Sequence, residues 1–228
     1  MKHFSCFVTG TDTGVGKTLA TCAVIHLLSQ NGSAAAGMKP VAAGMEMRNG
    51  EWRNEDTDAI ISASGITLPP ALVTPYPLKT PISPHIAARL ENTEIAWPRI
   101  RDSYNQIRKL ADSVIVEGAG GFRVPLSGSY DTADLAVQFG LPVVLVVGLR
   151  LGCLNHALLT TEAILSRGLT LAGWIANHID PAMLYQAENI ASLEDHIPAP
   201  RLATIPHIRN ASIHEAAQYF DLAKLLHR

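Results

Sequence analysis

Residues Phe4–Thr9 make a short, mostly apolar run that leads straight into Gly10-Thr11-Asp12-Thr13-Gly14-Val15-Gly16-Lys17-Thr18, and behind that loop Lys17–Gln30 carries a helical period. A strand, a glycine-rich loop and a helix in immediate succession leave few folds open, because the loop must turn the chain from a buried strand into a helix without a Cβ in the way. The rest of the chain repeats the alternation. Strands are expected at Ala34–Met38, Ser113–Val116, Val143–Val147, Leu171–Ala176 and Arg201–Ile205. Helices are expected at Asp56–Ser64, Ser83–Glu91, Glu94–Leu110, Thr132–Phe139, Asn155–Arg167, Leu184–His196 and Ser212–His227. Strands apolar on both faces and regularly separated by helices predict an α/β fold with a mostly parallel central sheet of about seven strands, helices on both faces. No polar linker divides the chain, so residues 1–228 read as one domain, with Leu68–Pro84 as the longest irregular stretch.

The loop points to phosphate. Its backbone N–H groups face inward, the helix N-terminus adds partial positive charge, the Lys17 ammonium neutralises phosphate oxygens and the Thr18 hydroxyl can ligate Mg²⁺. Composition narrows the field of other partners. Net charge is −2, so a nucleic-acid or membrane surface built on Lys and Arg is not expected. The most apolar stretch, Leu141–Leu149, ends at Arg150, short of the roughly 20 residues a spanning helix needs. Three cysteines without C-x-x-C spacing suit a reducing, cytoplasmic setting. No pair among the nine histidines has metal-ligand spacing, Cys153 reads as a small packed thiol, and Trp174 reads as core.

Two further charged residues fall at expected strand ends. Lys39, before Pro40, would bring a second ammonium toward a terminal phosphate, which suits a reaction on an additional anion such as a carboxylate or carbamate. Glu117 opens Glu117-Gly118-Ala119-Gly120-Gly121, where a carboxylate suits Mg²⁺ and the glycines let backbone pass close to a nucleotide. Asp56 and Asp58 open a helix, either as capping acids or with one of them completing a metal shell.

In this order the pieces resemble the dethiobiotin synthetase family. The resemblance is carried by Val8–Thr18, Gly37–Ala42, Arg53–Asp56, Ser83–Ile86, Val116–Gly121, Leu141–Gly148, Leu151–Ala157 and Gly173–Asn177, and extends to about Pro206. It implies a P-loop NTPase-like ligase that joins 7,8-diaminononanoate and CO₂ (bicarbonate) into a cyclic urea at the expense of ATP. By resemblance, Lys39 and Lys17 are catalytic. Gly14, Val15, Gly16, Lys17, Thr18, Leu19, Asp56, Glu117, Gly118, Ala119 and Gly120 line the nucleotide, with Asn177 and Pro206, His207 and Ile208 near its base. Thr18, Asp56 and Glu117 correspond to the metal ligands; an ungapped count favours Asp56, and a local shift would substitute Asp58. Thr13, Lys39 and Ala43 correspond to substrate contacts. Leu151, Gly152, Cys153 and Asn155 begin a helix that, in the family's homodimer, faces the neighbouring subunit's substrate carboxylate.

The chain departs from related patterns at three places. The first loop glycine is Gly10 rather than residue 11, Asp12 stands where sorting ATPases of the K-G-G-x-G-K-T type carry a second lysine, and Ala43 replaces a serine found in some synthetases. Glu215 is out of register with a family glutamate near the ribose, which leaves the ribose partner unassigned. A nucleotide-switch ATPase is the alternative from another class, and Asp12 weighs against it. An amidating relative of the cobyrinate synthetases would need a glutaminase domain for which this length leaves no room.

Overall fold

The computed structural model describes residues 4–209, 212–221 and 223–224. The elements follow in the order β1 (Cys6–Gly10), α1 (Lys17–Gln30), β2 (Ala35–Met38), β3 (Val41–Ala43), β4 (Glu46–Arg48), β5 (Glu51–Arg53) and α2 (Glu55–Ala63). Next come α3 (Pro70–Val73), β6 (Tyr76–Leu78), α4 (Pro84–Leu90), α5 (Trp97–Arg108), β7 (Ser113–Glu117) and α6 (Thr132–Phe139). The chain continues through β8 (Val143–Leu149), α7 (Cys153–Ser166), β9 (Leu171–His178), α8 (Gln186–His196), β10 (Arg201–Ile205) and α9 (Ile213–Ala217).

The central sheet has six strands in the order β10-β9-β8-β1-β7-β2, and every neighbouring pair is parallel. The expectation of about seven is therefore corrected to six. Pro40 has no N–H to give to a ladder and breaks the chain away from β2. The next apolar residues, Val41–Ala43, then pair in parallel with Tyr76–Leu78 as a separate two-stranded sheet. That pairing also places α3 and β6 inside the stretch expected to be irregular. Glu46–Arg48 and Glu51–Arg53 form an exposed antiparallel hairpin that no periodicity announced. At the other end, α9 stops at Ala217 and Phe220 bridges to Ala203; the expected helix beyond it falls partly on residues 222 and 225–228, outside the described residues.

β1, β7 and β8 are buried along their whole length, as strands covered on both faces must be. Phe139, at the end of α6, gathers Phe7, Trp97 and Tyr104 around it at ring-centroid distances of 6.1, 5.0 and 5.0 Å, the last two edge-on. α6 begins with a capping box in which the Asp131 side chain accepts from the Asp134 N–H and the Asp134 side chain accepts from the Asp131 N–H. Because all six strands are parallel, their C-terminal ends emerge on one edge. β1 lies between β7 and β8, where connections diverge to the two halves of the sheet, which is the place such sheets bind ligands.

Candidate active site

Residues 11–16 bridge β1 to α1. Gly14 and Gly16 have φ of +73° and +86°, a region costly for residues with a Cβ. Gly16 is also the N-cap of α1, and no side chain caps that helix, which leaves its first N–H groups for an anion. The buried Lys17 ammonium turns back and donates to the Asp12 carbonyl at 3.0 Å. Burial lowers its pKa, with Glu117 opposing and Lys39 reinforcing that effect.

Four polar side chains from four elements meet beside this loop. The Thr18 hydroxyl, on α1, lies 2.8 Å from Asp56 Oδ1 and 2.9 Å from Glu117 Oε1. The Lys39 ammonium, just past β2, donates to Glu117 Oε1 at 2.8 Å and to Asp56 Oδ2. Glu117 is fully buried at the end of β7, and Lys39 is buried too. Burial works against the Lys39 charge, but the carboxylates of Glu117 and then Asp56 outweigh it, so its pKa is raised. Burial pushes the Asp56 carboxyl up, and Lys39, chiefly, brings it below the usual range. Asp56 reaches the cluster because Asn54 caps α2 and anchors it, accepting from the Thr57 N–H at 3.1 Å and donating to the Gly44 carbonyl at 3.1 Å. Asp58, one side of α2 further on, instead pairs with Arg53 at 3.0 Å.

Thr18 Oγ1, Asp56 Oδ1 and Glu117 Oε1 form a hard-oxygen set on one side of the loop. Glu117 Oε2 is buried with no hydrogen-bond partner, which is a site asking for a cation. Among the described residues no three His, Cys, Asp or Glu side chains cluster as a metal cage. Two carboxylates and a hydroxyl fit Mg²⁺, which takes few protein ligands and completes its shell with phosphate and water.

Of the other expected residues, Gly120 and Asn177 lie against the phosphate loop. Gly118, Ala119 and Gly120 turn away from β7, and a Cβ on Gly120 would sit 3.5 Å from Thr13 Oγ1, so the turn lies against the phosphate loop. Leu19 is half-buried in the first turn of α1, next to Thr18. Asn177, buried near the end of β9, donates to the Val15 carbonyl at 2.9 Å. Pro206, His207 and Ile208 follow β10, with His207 Nδ1 3.2 Å from the His178 carbonyl. Ala43, closing β3, is half-buried. Leu151 is 95% exposed, Gly152 N-caps α7 with φ of +94°, Cys153 is buried and Asn155 is exposed. A cleft of about 390 Å³ runs between Thr11–Thr13, Gly121–Val124 and the Leu159–Ala163 stretch of α7.

One pair escaped the sequence. Arg150, which there only marked the end of an apolar run, donates to Asp12 Oδ2 at 2.5 Å, while Asp12 Oδ1 accepts from the Thr13 N–H at 2.7 Å. The Thr13 N–H, foremost, and then Arg150 hold the Asp12 carboxyl below its usual range against the effect of burial. A separation of 138 positions along the chain hid the contact.

A family model described as an AAA domain matches residues 5–214. The chain is 57% identical to the ATP-dependent dethiobiotin synthetase BioD of Aromatoleum aromaticum over 205 residues, 90% of this chain and 91% of that protein. It is 53% identical to the BioD of the same description from Ralstonia nicotianae over 226 residues, 99% of each. Among solved structures, the septum site-determining protein MinD of Pyrococcus horikoshii, complexed with Mg-ADP, matches with a TM-score of 0.56 at 15% identity, over 99% of this chain and 95% of that one. Chloroplast FtsY of Physcomitrella patens matches with a TM-score of 0.57 at 15% identity, over all of this chain and 65% of that one. At such identities these two likenesses concern the fold alone.

Proposed function

The chain belongs to the ATP-dependent dethiobiotin synthetase family, which are ligases of biotin biosynthesis, and from that premise we propose how its own residues carry the reaction. The substrates are 7,8-diaminononanoate, CO₂ and ATP, and the products dethiobiotin, ADP and phosphate. One amine of the diamine attacks CO₂ and loses a proton, giving a carbamate. A carbamate oxygen attacks the γ-phosphorus and ADP leaves, giving a carbamic–phosphoric anhydride. The second amine attacks the carbonyl carbon and phosphate leaves, closing the ureido ring.

The observation that carries this reading is the buried Lys39 ammonium, held between Glu117 and Asp56 at the mouth of the phosphate loop. Phosphoryl transfer asks mainly for alignment and charge neutralisation, and two ammonium groups from different elements provide both. Lys17 and the loop N–H groups would hold the triphosphate, and Lys39 would hold the carbamate in line with its terminal phosphorus. Thr18, Asp56 and Glu117 would hold Mg²⁺, which supplies further neutralisation of the phosphates when bound. Thr13 and the backbone at Ala43 would place the diamine between the loop and β3. Gly118–Gly120 would flank the nucleotide, and Asn177 with Pro206–Ile208 would meet its base, the Asn177 amide being able both to donate and to accept.

The helix start Leu151–Asn155 would receive the substrate carboxylate of a neighbouring subunit at its N–H groups, making a homodimer the active form. Exposed Leu151 just before α7, Leu158, Leu159 and Leu165 along it, and Leu184 and Tyr185 before α8 give that helix region apolar surface for a partner copy. Among the described residues no helix is long and apolar enough to cross a membrane. The test is incubation with diaminononanoate, labelled bicarbonate and Mg–ATP. Label in an acid-stable cyclic product is expected, with ADP formed only when diamine is present. ADP release that ignores the diamine would overturn the reading in favour of a switch ATPase.

A further inference from the structure

We propose that Asp12 and Arg150 form a positioning pair that ties the phosphate loop to the start of α7, so that the nucleotide half-site and the carboxylate-receiving half-site are set together. Asp12 is engaged three times in the loop. Its carbonyl accepts from the Lys17 ammonium at 3.0 Å, one carboxylate oxygen accepts from the Thr13 N–H at 2.7 Å, and the other accepts from Arg150 at 2.5 Å. A rotation of this one residue would therefore displace both the phosphate-binding lysine and the residue expected to touch the diamine.

Arg150 is engaged on its other side. It follows β8 directly, and its carbonyl accepts from the Cys153 N–H at 3.0 Å, closing the turn that starts α7. Gly152, inside that turn, has φ of +94° and N-caps the helix. The Thr11 N–H also donates to the Val146 carbonyl at 3.0 Å, a second tie that holds loop and β8 in register beside the ion pair. A guanidinium bonded to Asp12 thus fixes where the turn 150–153 stands relative to the phosphate loop. In the proposed dimer that turn belongs to the neighbour's active site, and the pair would pass occupancy of one subunit's nucleotide site to the other's substrate site. The inference rests on the dimeric reading above, but its first measurement does not need activity.

Both side chains are about two-fifths exposed, so each single loss is expected to be modest. Arg150→Met and Asp12→Asn, the second of which keeps an oxygen for the Thr13 N–H, should each weaken Mg–ADP binding in calorimetry by about three- to tenfold. The double variant should lose no more than either single one, the mark of one shared contact. Arg150→Lys should recover most of the affinity. In turnover the two single variants should raise KM for the diamine together with KM for ATP. Saturating diamine should improve Mg–ADP affinity in the wild-type protein, and that improvement should shrink toward onefold in the variants. Strictly additive losses, a wild-type Kd in both variants, or a diamine KM that stays fixed while ATP KM rises would each overturn the pair as a positioning device. Failure of the wild-type protein to make dethiobiotin would instead strike the functional reading and leave the calorimetric cycle interpretable.

Discussion

Lys39 carries a charge inside the protein because Glu117 and Asp56 leave it no better state. Removing it should therefore act in two ways. Lys39→Ala should abolish dethiobiotin formation while Mg–ADP still binds, since the loop donors are untouched; product assay and calorimetry on one sample check both. The same variant leaves Glu117 buried without its cation, so unfolding stability should fall by about 3 kcal/mol, read by urea titration. Lys17→Ala should lower both product formation and nucleotide affinity by at least about tenfold, the loss of one charge-assisted contact to phosphate. Glu117→Gln should raise the Mg²⁺ concentration for half-maximal activity by about tenfold or more, because a neutral amide replaces a carboxylate in a site with few protein ligands. At this scale Lys39, Glu117 and the loop residues were legible as charged or hydroxyl groups at strand ends. The residues alone left Asp56 and Asp58 open, since both acids begin the same helix, and only the count along the resemblance favoured Asp56; in the fold the Asn54 cap and the Arg53–Asp58 pair orient the two.

The loop between β1 and α1 has two glycines at positive φ whose surroundings differ. Gly14 has open space around a would-be Cβ, whereas at Gly16 that atom would lie 2.2 Å from Asn177 Nδ2. Gly14→Ala should then cost only the strain of a left-handed residue, about 1–2 kcal/mol, with nucleotide affinity nearly kept. Gly16→Ala should cost more stability and weaken ADP binding at least about tenfold, as it forces Asn177 off the Val15 carbonyl as well. Thermal melts with and without Mg–ADP separate the two. Helices and buried strands of the main sheet were readable from period and apolar runs. The β3–β6 pair and the β4–β5 hairpin were not, because three-residue strands carry too little periodicity to stand out from the loops around them.

The whole molecule makes sense of the chemistry through the parallel sheet. β1, β2, β7, β8 and β9 end on one edge, so residues as far apart in sequence as Lys17 and Asn177 lie around a single loop. If α7 of a neighbour completes each site, a mixture of Lys39→Ala and Asn155→Asp proteins, the second setting a like charge against the incoming carboxylate, should regain activity that neither has alone. Random reassociation leaves about a quarter of sites intact, measurable after mild denaturation and refolding together. Leu159→Glu should yield a monomer in sedimentation that binds Mg–ADP yet forms no dethiobiotin, since an acid on exposed helix surface disturbs a partner's apolar contact and little within the fold.

Amino-acid order alone set the phosphate loop, the alternation of buried strands and helices, and the short list of ammonium, carboxylate and hydroxyl groups available for catalysis. Those are local properties, fixed by backbone freedom at glycine and by the spacing of apolar residues. Which groups touch depended on the folded sheet. The six-strand order, the departure of Val41–Ala43 from it, the Lys39–Asp56–Glu117 cluster and the Asp12–Arg150 pair all join residues brought together by strand pairing across long stretches of chain. Hydrogen bonds and ion pairs act over a few ångströms in space and are blind to separation along the sequence, so spacing could name members of the cluster one by one but not the contacts between them.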